Sequence, residues 1–327
     1  MIYDVIIIGG GPAGVAAAVY VARKKMKSLL IAESFGGQSI VSDDIQNWIG
    51  EKSISGIDLA KKLEEHVNNF PKDLAIKKGE EVLAIKKIAC DVKERECNFE
   101  ITTSQNTKYQ TKSLIVATGA RRRRLGIPGE DKFDGKGVSF CSTCDAPLFS
   151  GKNVAVIGGG NAGVEAVVDL MPYAKKIYLL NRVNSLSADP VTQEEIKNKS
   201  QVELMLGVTP LEVVGKNFVT SLRYQDGMGN KKYLDVDGIF IEIGSVPNSD
   251  MVKDLVKLDN HGQIIIDTKH ASTSQPGIFA AGDVTDDPYK QNNISAGDGV
   301  RAALAAYAYI LQRQKHSPAT ERVDQSD

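Results

Sequence analysis

The sequence is poor in the residues that bind metals or form extracellular cross-links. It has four cysteines and four histidines among 327 residues, and the histidines stand singly. Cys141 and Cys144 are separated by two residues, whereas Cys90 and Cys97 lie in a different part of the chain. A structural zinc site needs a second pair of Cys or His at similar spacing. So few cysteines also argue against a secreted protein built on disulfides. We therefore predict no metal site and a reducing, cytoplasmic location.

The chain also lacks an excess of charge and a long apolar run. Lysine and arginine number 40 and aspartate and glutamate 41, which gives a net charge of −1. A nucleic-acid-binding protein would need a basic surface, so we expect no nucleic-acid partner. The opening apolar run, Val5 to Ile8, is far too short to cross a bilayer, and no signal peptide is visible. We therefore expect no membrane partner.

A glycine motif follows the first apolar run. Residues 4–8 predict a buried strand, and an alanine-rich helical stretch follows the motif. In a dinucleotide-binding turn of this kind, Gly9 permits the tight turn, Gly11 lets the backbone approach a pyrophosphate, and Gly14 lets the helix pack on its strand. Glu33 ends the second apolar run, where a ribose hydroxyl needs an acceptor.

The same motif occurs a second time. Residues 152–157 predict another buried strand, and Gly158 to Gly163 repeat the glycine spacing before a helical stretch that reaches about Leu170. Two copies, each between a strand and a helix, are much stronger evidence than one. The sequence therefore predicts an α/β fold with two Rossmann-like dinucleotide-binding domains.

The cysteine pair lies just upstream of the second glycine motif, in the stretch Cys141-Ser142-Thr143-Cys144-Asp145. This spacing is typical of redox couples and also of half a zinc site. Because no second metal-binding pair exists, a redox disulfide is our working hypothesis, and a pair without function is the alternative.

Four consecutive arginines, Arg121 to Arg124, have two interpretations. They could form a solvated, self-repelling loop between domains, or a docking patch for an acidic protein. Cys90 and Cys97 lie in a predicted strand meander, where isolated cysteines are usually inert.

With these residues in view, the chain resembles the low-molecular-weight thioredoxin reductase family of FAD flavoproteins, up to about Gln312. The matching motifs are G-G-G-P-A-G at 9–14, F-G-G-Q at 35–38, N-W at 47–48, A-T-G at 117–119, C-S-T-C-D at 141–145, G-G-G-N-A-G at 158–163, A-G-D-V at 281–284 and Y-K-Q at 289–291. Three stretches, E-S-F-G-G-Q, C-D-A-P-L-F and P-Y-K-Q, are similar to the reductase core of the flavoprotein component of alkyl hydroperoxide reductase.

The resemblance implies a nicotinamide domain inserted in the FAD domain. The expected limits are 1–118 and 248–315 for the FAD domain, 119–247 for the NAD(P)H domain with the disulfide, and 316–327 for a disordered tail. By similarity, FAD is bound by Gly9, Gly11, Pro12, Ala13, Gly14, Glu33, Gly37, Gln38, Asn47, Thr118, Gly119, Asp283 and Gln291. The nicotinamide nucleotide is assigned to Gly158, Gly160, Asn161, Ala162, Gly163, Glu165, Asn181 and Arg182. The resemblance also implies a homodimer.

The resemblance further implies a route for electrons from reduced nicotinamide through FAD to the Cys141–Cys144 disulfide, and then to a disulfide on a partner. Cys144 would face the flavin, Cys141 would attack the partner, and Asp145 would donate and accept the proton. Because the chain begins at the flavin unit, we expect a separate acceptor, a thioredoxin-like or glutaredoxin-like protein. The alternatives are a peroxiredoxin-system reductase, a hydrogen-peroxide-forming NADH oxidase, a ferredoxin-fed disulfide reductase and a redox-sensing flavoprotein that does not turn over.

The choice of nucleotide is where the sequence departs from the family pattern. NADPH-using relatives carry an arginine cluster after the second strand of the second glycine unit, but here the stretch reads Asn181-Arg182-Val183-Asn184. One arginine is little charge for a 2′-phosphate, and an amide can still bond a ribose hydroxyl. We therefore expect NADH rather than NADPH, with a different electron donor as the alternative.

Overall fold

The computed structural model describes residues 1–42, 44–91 and 96–316. The chain forms two compact units. The first contains Met1–Ile40, Trp48–Arg121 and the chain from Val246 onward, and the second contains Val41–Asn47 and Arg122–Ser245. The second unit is thus inserted in the sequence of the first, in agreement with the predicted fold class. The domain limits given above and the cofactor of each unit stay predictions.

Seventeen strands are assigned within the described ranges. In chain order they are β1 (Ile2–Gly10), β2 (Ser28–Phe35), β3 (Leu74–Lys78), β4 (Val82–Asp91), β5 (Glu96–Thr103), β6 (Lys108–Val116), β7 (Ala120–Arg122), β8 (Val138–Ser139), β9 (Asn153–Ile157), β10 (Lys176–Asn181), β11 (Val202–Leu206), β12 (Thr209–Gly215), β13 (Val219–Gln225), β14 (Lys231–Asp235), β15 (Gly238–Ile241), β16 (Ser245–Pro247) and β17 (Ile278–Ala280). The α-helices are α1 (Pro12–Arg23), α2 (Gly56–Asn68), α3 (Ser142–Asp145), α4 (Asn161–Leu170), α5 (Pro190–Ile196) and α6 (Asn292–His316). Short 3₁₀ turns cover Gly37–Val41, Ala146–Phe149, Asp250–Val252 and Gly282–Val284.

The first unit is organised around a seven-stranded sheet. Its order is β3-β2-β1-β6-β5-β4, and β17 also pairs with β6. The strands β3, β2, β1, β6 and β17 run parallel, whereas β4, β5 and β6 form an antiparallel meander. Continuous apolar runs such as Val5–Ile8 are typical of strands covered on both faces, and these four residues are buried. The carboxyl ends of the parallel strands meet at one edge of the sheet.

Helices α1 and α6 cover one face of this sheet and share a core with Ile7, Leu30 and Ile115. The two helices approach closely, because a Cβ on Gly299 of α6 would lie 2.0 Å from the carbonyl oxygen of Ala13 on α1. Small residues at such crossings let helix backbones pack tightly. Ser55 caps α2, since its Oγ accepts a hydrogen bond from the Asp58 N–H at 3.1 Å.

The second unit contains a five-stranded parallel sheet with the order β11-β10-β9-β15-β8 and a three-stranded antiparallel sheet, β12-β13-β14. Helix α4 follows β9, as α1 follows β1 in the first unit. The apolar residues of α4 pack on this sheet in a core with Val154, Val156 and Phe240. The chain passes between units at Ile40–Val41, Asn47–Trp48, Arg121–Arg122 and Ser245–Val246. At the last two crossings, β7 and β16 form a two-stranded sheet.

Some elements were not expected from the sequence. Its patterns predicted no element at β3, β14 or α5, each of which is short. The last helix, α6, begins at Asn292 and ends at His316. The predicted disordered tail beyond His316 lies outside the described residues. The same is true of the side chains of Cys90 and Cys97, so their predicted inertness stays a prediction.

Candidate active site

The first glycine motif forms the expected turn between β1 and α1. Gly9 has φ +116°, and a Cβ there would lie 2.2 Å from the carbonyl oxygen of Ala117. A Cβ on Gly14 would lie 1.8 Å from the carbonyl oxygen of Gly9. Gly11 caps α1 and faces Gly37, whose Cα is 3.8 Å from the Cβ position of Gly11. Side chains at these positions would fill the turn, so the backbone is bare where a pyrophosphate would bind.

Other predicted FAD-binding residues of the first unit surround this turn. Glu33 and Gln38 are exposed beside it, where the Gly36 N–H donates to the carbonyl oxygen of Gly10 at 3.0 Å. A Cβ on Gly282, the neighbour of Asp283, would lie 3.0 Å from Cβ of Ala13. The turn and the start of the Gly282–Val284 segment therefore meet at one edge of the sheet.

Several of the predicted FAD residues have structural partners in the first unit. Oγ1 of Thr118 donates to the carbonyl oxygen of Asn248 at 2.6 Å, and Nδ2 of Asn248 donates back to the Thr118 carbonyl at 2.9 Å. Oδ1 of Asp283 accepts from Oγ of Ser295 at 3.1 Å. The backbone of Gly119 is left-handed, with φ +66°. The backbone carbonyl oxygen of Gln291 accepts the Ser295 N–H at the start of α6. Pro12 occupies the first position of α1, where a missing N–H costs no hydrogen bond.

The residues present fit FAD on structural grounds. A turn of glycines offers backbone N–H groups to a pyrophosphate, and an exposed carboxylate, Glu33, ends the neighbouring strand. Asn47 was predicted with this set, but its segment, Val41–Asn47, belongs to the second unit. Its Nδ2 lies 4.0 Å from Sγ of Cys144. Asn47 is thereby a neighbour of the disulfide, a placement for which no local pattern provided a signal.

The second glycine motif repeats the geometry of the first. Gly158 has φ +136°, and a Cβ on it would lie 2.2 Å from the carbonyl oxygen of Glu242. A Cβ on Gly163 would lie 1.9 Å from the carbonyl oxygen of Gly158, which matches the relation of Gly14 to Gly9. Gly160 caps α4, and Ala162 and Glu165 are exposed on its first turns. The turn thus suits a second dinucleotide.

The segment after β10 folds back over this turn. The Ser187 N–H donates to the carbonyl oxygen of Gly159 at 2.8 Å. The Asp189 N–H donates to Oδ1 of Asn161 at 2.8 Å, and Nδ2 of Asn161 donates to the Asp189 carboxylate at 3.1 Å. Asn181 touches the turn, because a Cβ on Gly159 would lie 2.4 Å from its Nδ2. Arg182 is exposed.

Cys141 and Cys144 are joined as a disulfide, which confirms the predicted pairing. Cys141 caps the single-turn helix α3 and is partly exposed, and Cys144 is exposed. Hydroxyl groups hold the turn: Oγ of Ser142 and Oγ1 of Thr143 donate to Oδ2 of Asp169 at 2.8 and 3.1 Å. No group of three or more His, Cys, Asp or Glu side chains suited to a metal occurs among the described residues.

Asp145 directly follows Cys144 and is partly buried. Its Oδ2 accepts from Oγ of Ser139 at 2.6 Å, and Ser139 also accepts the Cys141 N–H at 3.1 Å. Burial raises the pKa of Asp145, while the Ser139 hydrogen bond and the positive charge of Arg122 partly oppose this. A carboxyl with a raised pKa holds its proton nearer to neutral pH, which suits an acid that protonates a leaving thiolate.

A second carboxyl of the second unit, Glu242, was not found from the sequence. It directly follows β15 and is partly buried. Burial raises its pKa to about 7, although Arg122 and the Ser142 N–H favour the ionised form. The signal that could have found it was its place at the carboxyl end of a parallel strand, where ligand sites gather.

The members of the arginine run have separate environments. Nη1 of Arg121 donates to Oδ1 of Asn248 at 3.1 Å in the first unit. Arg124 pairs with Asp134 at 2.5 Å, and its guanidinium lies 4.5 Å from the ring centre of Phe140. The positive charge of Arg122 favours the ionised forms of Asp145 and Glu242 and so opposes the rise of their pKa values. All four arginines are nevertheless exposed, so both interpretations of the run stay predictions.

No helix in the described ranges combines the length and apolar character needed to cross a bilayer.

The family model described as pyridine nucleotide-disulphide oxidoreductase matches residues 3–308. Among curated relatives, the F subunit of alkyl hydroperoxide reductase from Staphylococcus aureus is 41% identical over 311 residues, which cover 95% of this chain and 59% of that protein. The Pseudomonas putida protein of the same name is 40% identical over 313 residues, 95% of this chain and 58% of that protein. The chain therefore spans a little under three fifths of the length of these relatives.

Solved structures give the same family. Thioredoxin reductase from Streptococcus pyogenes has a TM-score of 0.87 and 33% identity, and the match covers 95% of this chain and 99% of that one. Thioredoxin reductase from Giardia duodenalis has a TM-score of 0.85 and 30% identity, with 94% and 99% covered. The chain belongs to the pyridine nucleotide-disulphide oxidoreductases and, within them, to the thioredoxin reductase family, close to the reductase core of the alkyl hydroperoxide reductase flavoprotein.

Proposed function

We propose that this protein is an NAD(P)H-dependent FAD enzyme that reduces a disulfide on a separate protein, thioredoxin or a similar small redox protein. The observation that carries the proposal is the partly exposed Cys141–Cys144 disulfide, followed directly by the partly buried carboxyl of Asp145, which accepts from Ser139. Both lie in the unit that contains the second glycine turn. A disulfide with an acid at hand is suited to thiol exchange with a foreign disulfide.

FAD, when bound, would accept a hydride from the nicotinamide and pass two electrons to the disulfide. We assign its pyrophosphate to the turn at Gly9, Gly11 and Gly14, and its ribose to Glu33. Asp283 would contact the flavin end, since the Gly282–Val284 segment packs at Ala13 of the same turn.

The residues of the disulfide turn then manage protons and position. Two electrons break the S–S bond and give two thiolates, and at least one of them must then be protonated. Asp145 would supply that proton to one sulfur, and Ser139 holds the carboxyl in place through the 2.6 Å hydrogen bond. Following the family pattern, we assign attack on the partner to Cys141 and the sulfur that receives electrons to Cys144.

For the electron donor we propose NADH. Nδ2 of Asn181 donates to the carbonyl oxygen of Ser185 at 2.7 Å, which leaves the amide oxygen as an acceptor for a ribose hydroxyl. The Asp189 carboxylate accepts from Asn161, at the start of α4, and would repel a 2′-phosphate nearby. Arg182 alone offers a positive charge in this segment.

The test uses purified yellow protein under anaerobic conditions. We expect NADH to bleach the flavin at lower concentration than NADPH, and two thiols per chain to appear. Adding an oxidised thioredoxin should then remove those thiols and generate reduced thioredoxin. If the flavin is bleached and the two thiols never appear, the disulfide is not the exit for electrons and the proposal is wrong.

A second acceptor is favoured by the 41% identity to the F subunit of alkyl hydroperoxide reductase. We propose as the alternative that the same thiols serve a peroxiredoxin system through a small carrier protein. Comparing thioredoxin-like, glutaredoxin-like and peroxiredoxin substrates by kcat/KM separates these acceptors.

The NADH oxidase alternative predicts instead that Cys141→Ser leaves oxygen-dependent NADH consumption undiminished. A homodimer is also part of the proposal, and analytical ultracentrifugation tests it.

A further inference from the structure

The two residues between the cysteines are tied to a single carboxylate oxygen. Oγ of Ser142 and Oγ1 of Thr143 donate to Oδ2 of Asp169 at 2.8 and 3.1 Å. Ser142 is buried and Thr143 is exposed, so the first of these hydrogen bonds is the better shielded from water. Hydrogen bonds to a carboxylate are stronger than those between neutral groups. The middle of the disulfide turn is therefore firmly attached to a second element of the same unit.

The attachment point lies on a well-packed part of the fold. Asp169 is the next-to-last residue of α4, and Val167 and Leu170 on the same helix are fully buried in its core. Ala146 and Phe149, which follow the disulfide turn, belong to the same core. The turn is thus fixed at its middle by Asp169 and on its C-terminal side by apolar packing.

The position of Asp169 is unfavourable for the helix that carries it. A carboxylate in the last turn of an α-helix lies at the negative end of the helix dipole, and α4 has no basic residue in this turn to offset it. A residue that opposes its own element while it satisfies a distant contact is expected where that contact serves function. The contact that Asp169 satisfies is the one with the disulfide turn.

We propose that Asp169 is a positioning residue that, through Ser142 and Thr143, keeps the disulfide turn closed in the dithiol state and so makes the reduced enzyme a stronger reductant. This role rests on the proposed disulfide reductase function. Two electrons and two protons open the S–S bond to two thiols, and unbonded sulfurs need more room than bonded ones. A turn that is tied at its middle resists this separation. The dithiol is thereby destabilised relative to the disulfide, and its electrons pass more readily to a partner disulfide.

The experiment measures the equilibrium constant for reduction of the Cys141–Cys144 pair in the holoenzyme. Anaerobic samples are equilibrated with dithiothreitol and its cyclic disulfide at stepped ratios. Dithiothreitol gives up two electrons and two protons as it closes to that disulfide, so the exchange balances. Thiols are trapped with N-ethylmaleimide, and peptide mapping separates this pair from Cys90 and Cys97.

We expect Asp169→Ala to favour the dithiol about tenfold more than the wild type, which is the effect of roughly one hydrogen bond to a carboxylate and equals about 30 mV. Asp169→Asn keeps an oxygen that can accept both hydroxyl groups, so it should restore most of the difference. Ser142→Ala combined with Thr143→Val removes the donors instead and should reproduce the tenfold shift. Asp235→Ala, at an exposed aspartate of β14 in the same unit, should leave the constant unchanged.

The acceptor and donor variants also form a double-mutant cycle. Adding Asp169→Ala to the donor variant should cause no further shift, because the contact is already lost. Unchanged constants in these variants, a shift toward the disulfide, or fully additive shifts would each overturn the inference. If Asp169→Ala does not fold, the donor variant alone decides. Since dithiothreitol replaces NADH here, failure of the proposed function shows separately, as failure of NADH to produce the two thiols in wild-type protein.

Discussion

The two glycine turns allow the two cofactor sites to be disabled one at a time. A Cβ on Gly163 would lie 1.9 Å from the carbonyl oxygen of Gly158, whereas ordinary contact begins at 3.4 Å. The new Cβ and the Gly158 oxygen must therefore move apart by about 1.5 Å, and both belong to backbone segments that cannot simply rotate away. Overpacking of this kind costs about 1–3 kcal/mol, and a misplacement of about 1 Å lowers a rate about 100-fold.

We therefore expect Gly163→Ala to remain yellow but to bleach with NADH about 100-fold more slowly, or only at much higher concentration. Dithionite should still bleach its flavin at the wild-type rate. Gly14→Ala, with 1.8 Å to the carbonyl oxygen of Gly9, should instead lose FAD. The control is Gly227→Ala, an exposed position where a Cβ meets its nearest atom at 3.6 Å. Wild-type NADH bleaching in Gly163→Ala would refute the assignment of nicotinamide to the second turn.

Three further predictions concern individual side chains. Asp145→Asn should lower thioredoxin reduction about 100- to 10,000-fold while NADH still bleaches the flavin, and rates within tenfold of wild type would exclude Asp145 as the acid. Arg182→Ala should leave kcat/KM for NADH nearly unchanged, and a loss above tenfold would show that the arginine grips the nucleotide. The pKa of Glu242 is raised from 4.5 to about 7 in the folded protein. The free energy of unfolding therefore falls as the pH rises through this range, by at most about 3 kcal/mol. Urea unfolding should accordingly find Glu242→Gln more stable than wild type at pH 8 and nearly equal at pH 5, and equal stability at both pH values would contradict the buried, titrating carboxyl.

Much of the fold could be predicted because its signals are local. The turns at Gly9 and Gly158 require glycine for reasons of backbone geometry, and the apolar runs before them mark strands buried on both faces. The pairing of Cys141 with Cys144 follows from their spacing and from the lack of other ligands. In contrast, α5 and β14 are seven and five residues long and carry no periodic apolar pattern of their own.

The surroundings of the disulfide could not be predicted because they depend on long-range contacts. Asp169 reaches the disulfide turn from α4, where its Oδ2 accepts from the hydroxyl groups of Ser142 and Thr143, 27 and 26 residues earlier in the sequence. The arginine run shows the same limit. Four identical residues suggested one common role, yet Arg121, Arg122 and Arg124 have different partners, because successive side chains of an extended segment point in different directions.

Electrons are proposed to leave the flavin through one pair of sulfurs. The most direct test is the protein in which Cys141→Ser and Cys144→Ser are combined, mixed anaerobically with NADH and an oxidised thioredoxin. We expect NADH to bleach the flavin at the wild-type rate and no thioredoxin thiols to appear. Reduction of thioredoxin at the wild-type rate by this variant would contradict the proposed route.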